Sequence, residues 1–125
     1  MKYLNEFVAT LIFIFAILCI TSIKDLPIFQ VALAIGLSLT VSIMIAASFK
    51  GQGHLNPAVS FIMGFKDDNF KAINVLVFII LQFVAALVAY GLFKLINLEN
   101  DSSYEKFEEP INNAIINPIQ KLLFK

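Results

Sequence analysis

A chain of 125 residues has room for one domain, yet 59% of it is hydrophobic and 13 residues are Phe, against roughly 45–50% apolar residues in soluble domains. A soluble globule of this size cannot hide so much apolar side chain, and a lipid-facing surface removes the difficulty. The formal charge is zero, from nine Lys, no Arg and nine acidic residues, which excludes the basic stripe that a nucleic-acid partner calls for.

In chain order, residues 4–23, 29–49 and 73–96 form three long apolar runs. Each is close to the roughly 20 residues that cross a hydrocarbon core. All three read as transmembrane helices, because lipid tolerates only satisfied backbone. The first run also opens like a signal peptide, with Lys2 ahead of the apolar stretch. It is longer than an h-region, however, Glu6 interrupts its start, and no A-x-A-like site follows. Cys19 sits inside it as the single cysteine, so an intrachain disulfide is impossible.

Short connections follow, KDLPI at 24–28 with Pro27 as the breaker and KDDNFKA at 66–72. After Asn97 the composition turns polar and acidic (LENDSSYEKFEEP), and the last stretch, INNAIINPIQKLLFK, is too short to span. The expected division is a membrane domain over 1–98 and a polar tail over 99–125 that ends in a short interfacial helix.

Residues 50–65 (KGQGHLNPAVSFIMGF) do not fit the pattern of spans. Gly51 and Gly53 form turns. Asn56 suits a helix N-cap and Pro57 the first helical position. A helix from Pro57 to about Phe65 would be roughly 14 Å long, about half of a ~30 Å hydrocarbon core. Two readings stay open on this chemistry alone: a half-helix dipping into the membrane, or a loop followed by a short interfacial helix. In the first, the carbonyls of Gln52, Gly53 and His54 offer acceptors to a polar permeant, and the positive helix end lies beside Asn56.

Four pieces in order, NEFVAT (5–10), VALAIGL (31–37), GHLNPAVSF (53–61) and LQFVAAL (81–87), together resemble the major intrinsic protein family, the aquaporins and glycerol facilitators. GHLNPAVSF (53–61) is similar to that family's first pore loop. NEFVAT (5–10) is similar to the start of its first helix, VALAIGL (31–37) to its second, and LQFVAAL (81–87) to its third. Order and spacing fit the first repeat of the family over about residues 1–98. The resemblance implies an all-α membrane protein with three transmembrane helices and one re-entrant half-helix, one unit of an inverted-repeat channel. It implies that Asn56 donates to the permeant, that Pro57 and Ala58 pack against a second such turn, and that Gln52, Gly53 and His54 offer carbonyls. It also implies that the buried Glu6 and Gln82 hold the loop. From the residues themselves, an ionisable group such as Glu6 inside a span needs a partner, and loop N–H groups are suitable. The alternatives are a Glu6 that reaches water at the membrane end and a Gln82 that only joins two helices.

The departures from the family pattern concern selectivity. Gln52 replaces a common glycine. Ile35 falls where the second helix usually presents an aromatic side chain to the narrow filter, and an aliphatic there widens it. The filter arginine follows the family's second pore loop, and this chain has no Arg. Asn117-Pro118-Ile119 is only faintly like a second loop.

One repeat leaves half a cavity, so a partner is expected: a second copy inserted the opposite way, or a complementary half-channel protein. With the N-terminus inside, Lys2, Lys50, Lys66 and Lys71 lie inside and Lys24 and Lys94 outside near the spans, with Lys106, Lys121 and Lys125 in the tail. That is a weak orientation bias. The expected function is a passive channel for water or small neutral solutes such as glycerol. The alternative is a non-conducting subunit or remnant that associates with full-length relatives. Catalytic and metal sites and cofactors are not expected, because His54 is the single histidine and no nucleophile, base and orienting group come together.

Overall fold

In a computed structural model, residues 2–66 and 71–111 are described, with side chains to residue 97. The elements are α1 (Lys2–Thr21), α2 (Ile28–Ser48), α3 (Pro57–Lys66) and α4 (Ala72–Ile111), and no strand occurs among the described residues. Three helices are long and apolar enough to cross a membrane: Lys2–Thr21, Ile28–Ser48 and the Ala72–Asn97 part of α4.

Local chemistry sets the helix ends. Pro27, extended at φ −57° and ψ 140°, fixes the chain ahead of α2, and its carbonyl accepts the N–H of Gln30 and Val31. At the other end, the Lys50 N–H returns to the Ala47 carbonyl and the Gly51 N–H to the Ala46 carbonyl. That pair of bonds is a Schellman closure, with Lys50 at φ 59° in the left-handed position usually held by Gly. Gly51 is required beside it, because a Cβ there would meet the Ala46 carbonyl oxygen at 2.8 Å and the Asn5 Cβ at 3.1 Å.

α1 and α2 pack through small residues. Ala9 and Ala46 are fully buried against Leu55, with Phe13 and Leu39 packed beside them. Outward, α2 presents Leu33, Leu37, Val41 and Met44, and α4 presents Leu76, Ile80, Phe83 and Leu87. Surfaces of this kind suit lipid or another membrane segment.

The segment between α2 and α4 enters and leaves on one side. It enters beside the start of α1, where the Asn5 side chain donates to the Phe49 carbonyl. It leaves at the start of α4, where the Tyr3 hydroxyl donates to Asn74 at 2.6 Å. Between these points it goes deeper: Leu55 packs on Ala9, and Ser60 meets Gln82. Gln82 lies ten residues past Ala72, about 15 Å along an α-helix and half of a ~30 Å hydrocarbon core. α3 is therefore a re-entrant half-helix.

α4 continues past the apolar run read from the sequence as the third span. Its backbone stays helical to Ile111, through the stretch read as a solvated tail. Glu, Lys and Leu are good helix formers, so a change from apolar to polar composition changes what surrounds a helix and need not end it. The chain divides into two compact units, Met1–Phe93 and Lys94–Lys125. The expected interfacial helix and Asn117-Pro118-Ile119 lie outside the described residues.

Candidate functional site

The site is built around Glu6, which α1 carries fully buried. Its Oε2 accepts the backbone N–H of Gly53 at 3.1 Å and of His54 at 3.3 Å. Its Oε1 accepts the Leu55 N–H and, at 2.9 Å, the Gln82 amide. Four donors thus fill the acceptor positions of one carboxylate. Hydrogen bonds to a carboxylate are about twice as strong as neutral ones, which suits a loop that has no strand or helix partner.

This anchoring dictates where the carbonyls point. In a trans peptide the N–H and the preceding C=O lie on opposite sides, and the described chain has no cis bond. Turning the N–H groups of Gly53, His54 and Leu55 toward Glu6 turns the carbonyls of Gln52, Gly53 and His54 away from it. The three acceptors named from the sequence therefore share one side of the loop.

Holding that shape requires unusual backbone. Gly53 adopts φ 66°, which glycine accepts freely, and Leu55 adopts φ 53°, which a bulky residue resists at a cost of about 1–3 kcal/mol. Glu6 and the burial of Leu55 at 3% exposure oppose that strain.

A second layer extends the network. The Gln82 amide also donates to Ser60 Oγ at 2.7 Å, and Ser60 Oγ lies 3.1 Å from His54 Nδ1. With Gln82 donating to it, the Ser60 hydroxyl is placed to donate to the imidazole nitrogen. The His54 ring packs against Phe78, which meets Tyr3 edge-on. Asn56 caps α3: its Oδ1 accepts the Ala58 N–H at 2.8 Å and its carbonyl the Ser60 N–H at 2.9 Å. Asn56, Ala58 and Gln52 are exposed, and Pro57 is half-buried.

Of the residues singled out from the sequence, Glu6, Gln82, Gly53 and His54 come together in one network, and Asn56-Pro57-Ala58 adjoin it. Ile35 stands apart, half-buried on α2. It lies eleven residues before Ala46, about 16 Å along the helix. Ser60 was not singled out, though its place four residues after Asn56 was a usable signal, since it sets Ser60 on the face of α3 above the cap. The described residues contain no cluster of His, Cys, Asp and Glu able to hold a metal ion.

Three spanning helices, and a re-entrant half-helix tied back by a buried carboxylate, define an integral, multi-pass, all-α membrane protein. The family model described as Major intrinsic protein matches residues 1–124. The chain belongs to that family, whose members are channels for water or small solutes rather than enzymes. The match runs past the 1–98 segment that carries the motif resemblance. No curated protein and no solved structure matches the chain.

Proposed function

We propose that this chain forms one half of a passive channel for water or small neutral solutes such as glycerol, and that two halves complete the pore. The observation that carries the reading is the row of carbonyls from Gln52, Gly53 and His54, turned away from Glu6 beside an exposed Asn56. Non-helical backbone at such depth survives where it faces protein or a watery cavity. In this reading the three carbonyls accept from the permeant. Asn56 donates through Nδ2, its Oδ1 being engaged by Ala58. The N-terminal end of α3 repels cations and protons through its dipole. Glu6 and Gln82 position the loop, and Ile35 lines a wide constriction.

Pro57 and Ala58 pack against the matching turn of a partner. Two copies inserted in opposite directions bring two such turns together at the repeat interface. A complementary half-channel protein would serve the same purpose. The membrane domain of residues 1–98 contains all of these groups.

Osmotic swelling of vesicles holding the pure, inserted chain tests the reading, with dimers verified by crosslinking. Swelling faster than that of empty vesicles is expected. Swelling no faster, with inserted dimers present, leaves the non-conducting subunit or remnant.

A further inference from the structure

The serine and threonine hydroxyls of α1 and α2 fall into two groups. Thr21, Ser38, Thr40 and Ser48 each donate to a carbonyl three or four residues back in their own helix, at 2.8–2.9 Å. This is the usual way in which a membrane helix satisfies a hydroxyl. Thr10 and Ser42 are the exceptions. Both are buried, at 2% and 0% exposure, and neither Oγ makes any hydrogen bond. A third buried atom shares this condition, Gln82 Oε1, although the same amide donates twice through Nε2.

The three atoms lie close in register. Thr10 is one turn beyond Glu6, the residue that binds Gln82. Ser42 is one turn from Ala46, which packs on Ala9, the neighbour of Thr10. Leaving three buried polar atoms unsatisfied costs about 1–3 kcal/mol each, and two of them have given up a bond available within their own helix. All three atoms are sealed from the surface of the chain, so a partner for them has to be small and enclosed with them.

We propose that a buried water molecule sits between α1, α2 and α4 at the level of Thr10, linking Gln82 Oε1 to the hydroxyls of Thr10 and Ser42. Water has the required bonding capacity: it donates to the amide oxygen, which only accepts, and exchanges bonds with hydroxyls that do both. Buried waters typically hold about three such partners. The site gives the Gln82 amide one orientation, with its oxygen on the water and its nitrogen on Glu6 and Ser60. The water is thus part of the loop's anchorage, whether or not the pore conducts.

The test uses the full chain in lipid nanodiscs and nuclear magnetic resonance, reading cross-relaxation between a long-lived water and the Gln82 side-chain amide protons. The wild-type chain is expected to show that cross-peak, Thr10→Ser to keep it, and Thr10→Val, equal in shape but without the hydroxyl, to lose most of it. A folded wild-type chain without the cross-peak overturns the proposal, as does a folded Thr10→Val that keeps it at full intensity. If Thr10→Val does not fold, the wild-type measurement decides alone.

Discussion

Glu6 and Leu55, 49 residues apart, are joined by a hydrogen bond from the Leu55 backbone to the Glu6 carboxylate, and Leu55 makes it in a left-handed conformation. The two facts depend on each other. Without the carboxylate, the loop has no reason to keep a bulky residue at positive φ. With the loop relaxed, Glu6 is a buried carboxylate short of three of its four donors.

Replacing Glu6 by Gln preserves volume and removes the match between acceptor and donors. The amide has one oxygen, and its N–H groups face other N–H groups. Leaving buried N–H donors without an acceptor costs about 1–3 kcal/mol each, and three backbone N–H groups depend on this carboxylate. The Glu6→Gln chain is therefore expected to lose roughly 3 kcal/mol in reversible unfolding from detergent micelles. A stability within about 0.5 kcal/mol of wild type, the range of ordinary surface substitutions, would show that the loop is held by packing alone.

Glycine substitutions separate tight from open backbone. A Cβ at Gly51 meets the Ala46 carbonyl and Asn5, whereas one at Gly36 meets nothing within 4 Å. Gly51→Ala should destabilise the isolated chain by more than 1 kcal/mol, in the range of about 1–3 kcal/mol for overpacking. Gly36→Ala should be neutral or gain up to about 1 kcal/mol, because Ala favours the helix. Thermal unfolding of the two variants in detergent checks the contrast, and a reversed order contradicts the close contact at Gly51.

The spans were legible in the sequence because they follow from the length of apolar runs, which lipid enforces; the half-helix stayed open on length alone, and the family resemblance implied it. The structure starts the first helix at Lys2, ends the second at Ser48 and runs the half-helix from Pro57 to Lys66, close to the expected limits. Glu6 and Gln82 were visible because polar groups inside spans are rare. Other features had no local signature. The left-handed position of Leu55 falls on a residue type that avoids it, and it is explained by distant partners, the Glu6 carboxylate and the packing on Ala9 and Ala46. Ser60 differs: residue type does not separate it from Ser48, which bonds its own helix, and its spacing from Asn56 was the one usable signal. The full length of α4 had no signature in the apolar run, because composition reports what surrounds a helix and a polar stretch can continue one.

The proposed pairing carries a prediction about orientation. Near the spans, four Lys lie on the N-terminal side and two on the other, a bias too small to fix one topology under the rule that positive loops stay inside. A label at the C-terminus, probed in sealed vesicles, is expected to be accessible in part from each side. Labelling from one side only excludes the antiparallel homodimer and leaves a complementary protein as the second half.

Selectivity is where Ile35 enters. On the channel reading, this half-buried side chain stands roughly 16 Å along α2 from the anchored loop, at a constriction that an aromatic residue would narrow. A Phe has a larger and flatter side chain than Ile, and in a helix its χ1 is confined largely to two wells. Steric exclusion acts on a bulky solute before it acts on water, so Ile35→Phe should cut glycerol-driven swelling several-fold while reducing osmotic water flow much less. Both rates can be read from the same vesicles by switching the external solute. An equal loss of the two would place the effect on folding or insertion, and no change in either would remove Ile35 from the permeation path.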